Sequence, residues 1–370
     1  MSQFVMSGFR LRARLRRTTA ALAKMVGRTV RRAIGVGNVT VVCALLLGIA
    51  GISLDAQRGR GTPPPRPNML DDSDVTLRPP FSNAPDLVPN PAAPRGTIHR
   101  FTMKSEDSKI YKGISRDKPG EIVPYERSVA IYIPAQYVAG TPAPFIVVQD
   151  GFNPKYHYSV PTALDNLIHQ KKLPVMLAVL VHNGGGDGPG SQRGLEYDTV
   201  SDTYTMFIET EVLPRIERDY KVKFTKDPEG RATMGGSSGA ACALTMAWFH
   251  PELYRRVLSY SGTFVDQARG SNPKYPFGAW EYHSTLIPNS ERKPLRIWFH
   301  VSEHDNGAAR DESTHGNWVL ANQRMSQVLK AKGYPHKYVY AEGARHTDAN
   351  VVFQTLPDAL VWLWQGHAAK

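Results

Sequence analysis

The chain is poor in cysteine, in acidic residues and in long apolar runs, and each shortage narrows what it can be. It has two cysteines in 370 residues, Cys43 and Cys242. Cys43 lies in an apolar run with no small residue before it, which argues against a lipoprotein. If that run is removed as a leader, Cys242 stands alone, no internal disulfide can form, and the fold rests on its core. Cys242 itself reads as a small packing group rather than a catalytic thiol. The largely apolar run at 39–54 has sixteen residues, short of the ~20 that a membrane-spanning helix needs. No phosphate loop, dinucleotide fingerprint or tight metal-ligand spacing occurs: His300, His304 and His315 lie near Asp305 and Asp311 without it. No metal or cofactor is therefore expected, and no internal repeat is visible.

The shortage of acid leaves 45 Lys and Arg against 33 Asp and Glu, a formal charge of +12. That balance suggests nucleic acid, but its distribution does not. Residues 1–56 hold nine Lys or Arg and one Asp, a net of +8, which leaves about +4 for the rest. The basic excess belongs to a leader and not to a binding face, so no nucleic-acid partner is expected. Arg28, Arg31 and Arg32 precede the apolar run, and Ser53-Leu54-Asp55-Ala56 offers a cleavage site after Ala56. Residues 1–56 thus read as a signal peptide, with an uncleaved N-terminal anchor as the alternative, and a start at Met25 would give the leader ordinary proportions. An exported protein, periplasmic or extracellular, follows, with membrane contact only if the leader is retained. Residues 57–95 are rich in proline and read as a solvated linker or surface strap, without assigned helix or strand.

From residue 96 the texture changes to that of one large domain, 96–370. Alternating stretches at 97–103 and 127–134 predict antiparallel strands at a sheet edge. Continuous apolar runs at 144–149 and 175–181 predict strands buried on both faces of a parallel sheet. Further strands are expected at 257–261, 295–301 and 337–341, with helices at 161–169, 201–220, 240–248, 318–332 and 356–364. Strands alternating with helices mean a mostly parallel sheet covered on both faces.

At the centre of that pattern Gly235, Ser237 and Gly239 fill G-x-S-x-G. Small residues are needed there because a serine held on a sharp strand-to-helix turn leaves no room for side chains on either side. A serine hydroxyl needs a base to attack, and the base needs an orienting acid. The strand expected to end at Val301 runs into Asp305 and Glu303, either of which could be the acid. The strand expected to end at Ala341 runs into His346, the histidine placed for the base. The oxyanion of the intermediate needs two N–H donors. One is assigned to Ser238 and the other to the loop after the 144–149 strand, Asp150-Gly151-Phe152, with Gly151 and Phe152 as its candidate donors. His182-Asn183-Gly184-Gly185-Gly186 follows a different strand and reads as a rim of the cleft.

Residues 96–367 resemble the "Putative esterase" family, which includes the enterochelin (siderophore) esterases and the feruloyl and acetyl-xylan esterase domains. The resemblance is carried in order by Asp150-Gly151, Arg193 to Tyr197, Gly235 to Gly239, His250 to Tyr254, Ser259 to Gly262, Ser302 to Asp305, Gly343 to His346 and Leu356 to Leu360. It implies an α/β-hydrolase fold, Ser237 as nucleophile, Asp305 as acid and His346 as base. The chain departs from the family's commoner G-x-S-x-G-G in having Ala240, a small-for-small change. Arg193 is expected to touch substrate, whereas Glu196 and Tyr197 line the cleft or form a local ion pair. The long insertion at 264–293 reads as a lid or specificity wall, with Trp280 and Tyr282 as rings for a sugar or aromatic acyl group. The expected function is an esterase acting on a small-molecule or carbohydrate ester, such as a siderophore or acylated sugar. An acyltransferase with the same triad and a non-catalytic domain on the same scaffold are the alternatives.

Overall fold

The computed structural model describes residues 67–115, 117–118, 120–186 and 190–367; the expected leader lies outside the described residues. The strands in chain order are β1 (Val75–Leu77), β2 (Thr97–Lys104), β3 (Glu126–Ile133), β4 (Pro142–Ala143), β5 (Phe145–Gln149), β6 (Leu177–Val181), β7 (Lys223–Phe224), β8 (Arg231–Gly236), β9 (Arg256–Tyr260), β10 (Arg296–His304) and β11 (His336–Arg345). Nine of them form one sheet in the order β1-β11-β10-β9-β8-β5-β6-β3-β2, and β4 and β7 pair separately. β2 and β3 are antiparallel to their neighbours, and the other pairs are parallel. β5, β6, β8 and β9 are buried throughout, and apart from Gln149, Arg231 and Arg256 at strand ends they carry the mostly apolar or small residues expected when both faces are covered.

The main helices are α1 (Ser159–His169), α2 (Gln192–Tyr197), α3 (Leu213–Tyr220), α4 (Ser238–Phe249), α5 (Trp318–Ala331) and α6 (Ala349–Leu363). Two apolar cores result, one on each face of the sheet. Ile216 of α3, Leu244 of α4 and Met325 of α5 fill one. Leu164 of α1 and Val352 and Leu360 of α6 fill the other. This is the α/β-hydrolase architecture, a mostly parallel sheet with helices on both faces.

The proline-rich stretch needs a correction. Residues from Pro67 onward belong to the compact unit Pro67–Lys370, and β1 within them is the sheet's edge strand, parallel to β11. Val75 and Leu77 are buried, so two alternate side chains help anchor the strap to the core. A three-residue strand among prolines carries too little period to be read from sequence.

Chain order places the site. β5 and β8 are neighbours, and the chain leaves β5 toward β6 on one side and β8 toward β9 on the other, so the two connections run in opposite directions. A crevice opens at such a switch point, outside the carboxyl ends of the strands. The segments that follow β5, β8, β10 and β11 meet there.

Candidate active site

Ser237 sits between β8 and α4 with φ 58° and ψ −126°. That conformation costs an ordinary residue about 1–3 kcal/mol and persists only where its surroundings enforce it. Here the Ser237 N–H donates to the Tyr260 carbonyl at 2.9 Å. The turn is too tight for bulk: a Cβ at Gly235 would lie 2.5 Å from the Gly239 backbone, and one at Gly236 would lie 2.3 Å from Tyr156 Oη.

β10 and β11 run further than their apolar cores suggest, to His304 and Arg345, and these two residues are register partners beyond a β-bulge. Asp305 and His346 are therefore the next residues off adjacent strand ends. His346 Nδ1 lies 2.5 Å from Asp305 Oδ1, and His346 Nε2 lies 2.9 Å from Ser237 Oγ. A carboxylate only accepts, so Nδ1 carries the proton and Nε2 is left to accept from the serine hydroxyl. The Asp305 side chain is fully buried. Burial alone would raise its pKa, but the His346 hydrogen bond and charge, with Ser261 and the Asn306 N–H, hold it below the usual carboxylate value. Glu303, the competing acid, turns away: its Oε2 accepts from the Gly343 N–H at 2.7 Å.

Ser237 Oγ has a second neighbour that sequence reading missed, Thr263 Oγ1 at 3.3 Å. Trp318 Nε1, which can only donate, reaches the same Thr263 oxygen at 3.3 Å. The threonine's own proton is then free to point at Ser237 Oγ, leaving the serine proton for His346. A single threonine in a Ser261-Gly262-Thr263 turn gives no sequence signal of that contact.

Two of the three candidate oxyanion donors are available. Ser238 opens α4, where the first N–H groups have no helical partner, and the Phe152 N–H makes no bond among the described residues. Gly151 is a correction: its N–H donates to the Val181 carbonyl at 3.1 Å. Its role is space, since a Cβ there would lie 2.6 Å from Leu180 Cβ.

A cavity of about 440 Å³ opens over Ser237 and His346, with Asp150, Phe152, Lys155, His182, Asn183 and Arg193 among its walls. Its size suits a small-molecule ligand, and His182, Asn183 and Gly186 of the glycine-rich loop are among the residues that line it. Arg193 reaches it, but as the partner of Asp150 at 2.7 Å. Burial opposes its charge, and the Asp150 carboxylate more than compensates, raising its pKa. Glu196 instead forms a buried fork with Arg127, at 2.5 and 2.7 Å. Tyr197 is buried, with its hydroxyl accepting from the Asp150 N–H at 3.3 Å. Trp280 and Tyr282 do not line the cavity, which corrects their assignment as substrate rings. Tyr282 is 0% exposed with its hydroxyl bonded to Thr245, and Trp280 stacks on His315. The insertion buries these rings to hold itself on the domain, because apolar area is more stable in the core than at an open rim. Among the described residues no cluster of His, Cys, Asp and Glu could hold a metal, and no helix is long and apolar enough to cross a membrane.

Residues 120–362 match the family model described as "Putative esterase". No curated protein matches the chain. Among solved structures, the enterochelin esterase from Shigella flexneri is 20% identical with a TM-score of 0.51, over 75% of this chain and 60% of that one. The enterobactin esterase from the same organism, solved in the presence of enterobactin, is 19% identical with a TM-score of 0.51, over 74% and 61%. A ferulic acid esterase is 17% identical with a TM-score of 0.50, over 72% of this chain and 99% of that one. The chain thus spans about three-fifths of the Shigella flexneri enzymes, and at these identities the likeness is one of fold.

Proposed function

Because the chain belongs to the "Putative esterase" family, we propose that it is a serine hydrolase of carboxylic esters that works through an acyl-enzyme on Ser237. The observation that carries this reading is the unbroken contact from Asp305 through His346 to the strained serine. In the proposed cycle Ser237 Oγ attacks the ester carbonyl as His346 Nε2 takes its proton. Asp305 holds the imidazole in the required tautomer and stabilises its cation. The carbonyl oxygen gains negative charge within reach of the Ser238 and Phe152 N–H groups. His346 returns its proton to the departing alcohol, then activates water to release the acid and regenerate the serine.

For substrate we propose a small ester of the siderophore or acylated-carbohydrate kind. The names of the fold neighbours and a cavity walled partly by Phe152, Tyr156 and His182 support it. Export is proposed on the basic leader and its apolar run, and N-terminal sequencing of the mature protein near Gln57 tests it. The activity is tested by incubating the protein with acetyl, feruloyl and siderophore esters. Hydrolysis of at least one, abolished by Ser237→Ala, is expected; no hydrolysis of any would overturn the proposal.

A further inference from the structure

The cavity holds a cation that the reaction itself does not use. Lys155 lies three residues past Phe152, in the helical turn Pro154–His157, which the Asn153 side chain caps by accepting from the Lys155 N–H. Its half-buried ammonium donates to the Thr347 carbonyl at 2.7 Å and to the Thr347 hydroxyl at 2.8 Å. Thr347 follows the base directly and has φ 46°. Both acceptors are neutral, and an ammonium has three N–H donors, so one remains.

Among the described residues, the rest of the wall supplies nothing to neutralise that charge. The only carboxylate among the described residues that line the cavity is Asp150. Its Oδ1 accepts from Asn183 Nδ2 at 2.5 Å, and its Oδ2 accepts from Arg193 Nη2 at 2.7 Å. Tyr156 brings no negative charge, because burial pushes its phenol pKa up and keeps it protonated. Asp348 and Asp150 act on Lys155 only from a distance, and burial outweighs them, lowering its pKa. A partly desolvated cation with neutral partners is more stable beside an anion.

We propose that Lys155 is a specificity residue, and that the preferred substrates are esters carrying a carboxylate close to the scissile bond. This rests on the esterase reading above. The carboxylate would accept a hydrogen bond from the third ammonium N–H and share the cavity with the reacting carbonyl. A charge-assisted hydrogen bond of this kind is worth roughly 10–100-fold in kcat/KM.

The test uses two matched pairs and the full chain. 4-Nitrophenyl hemisuccinate against 4-nitrophenyl butyrate places the charge on the acyl side. 4-Acetoxybenzoate against 4-acetoxybenzamide places it on the alcohol side. In at least one pair the anionic ester should be favoured about tenfold or more, and that ratio should collapse in Lys155→Met, persist in Lys155→Arg and shrink with added salt. An anionic preference in neither pair, or an equal loss on all four esters in Lys155→Met, would overturn the proposal. The second result would make Lys155 only a clamp on the Thr347 loop. Failure of the wild type to hydrolyse any of the four would instead count against the esterase reading itself.

Discussion

Replacing Asp305 by Asn separates the two carboxylates that the sequence offered for one role. The fully buried Asp305 side chain faces His346 Nδ1 at 2.5 Å and is itself held by the Ser302 and Asn306 N–H groups at 3.2 and 2.8 Å. An amide of the same shape keeps the packing but can present N–H to the imidazole, which favours the wrong tautomer. It also removes the charge that stabilises the imidazolium. In a serine protease the equivalent change lowers turnover by about 10⁴. Asp305→Asn should therefore lose on the order of 10²–10⁴ in kcat, about 3–5 kcal/mol of barrier, with KM little changed. Glu303→Gln alters a partly exposed group bonded to a backbone N–H and should lose less than about tenfold. Steady-state hydrolysis of 4-nitrophenyl acetate by both folded variants decides it. A larger loss in Glu303→Gln would refute the reasoning.

Thr263→Val should lower kcat by roughly tenfold, the worth of one modest hydrogen bond to the reacting oxygen, and Thr263→Ser should restore it; wild-type kcat in the valine variant would remove Thr263 from the site. Gly151→Ala should lose on the order of 10²-fold in kcat, because its Cβ would meet Leu180 and push the Phe152 N–H off the oxyanion; full activity would show that the loop carries no donor. His300 is 0% exposed, and burial pushes its pKa down to about 4. The unfolded chain binds that proton near pH 6.5 and the folded chain does not, so stability should fall as pH drops from about 6.5 to about 4, by roughly 3 kcal/mol for this group. Thermal melts across that range should show a shallower slope in His300→Gln, and an unchanged slope would contradict the assignment.

The parallel strands and the serine turn were legible because their physics is local. β5 and β6 announce themselves by unbroken apolar runs, and Gly235 and Gly239 by the space that Ser237's turn denies to side chains. Asp305 and His346 were reachable because the loops that follow parallel strands all lie at the same edge of the sheet. What escaped depends on pairing or packing across the chain. β1 is a strand only because β11 offers it an edge. α6 starts at Ala349, capped by the Asp348 side chain, although Pro357 inside it reads as a helix start. Trp280 and Tyr282 have the composition of a binding wall, and only the folded insertion shows that the core takes them. Lys155 and Thr263 are ordinary residues in ordinary turns, and their importance lies in what tertiary structure brings beside them.

The central claim is that Ser237 is the atom acylated in turnover. A 4-nitrophenyl phosphonate, which mimics the tetrahedral intermediate, should add one phosphonyl group per chain with loss of activity, and peptide mass spectrometry should place it on Ser237. Ser237→Ala should take up none, and His346→Ala should react far more slowly. Stoichiometric labelling that persists in Ser237→Ala, or an adduct mapped to another residue, would contradict the account.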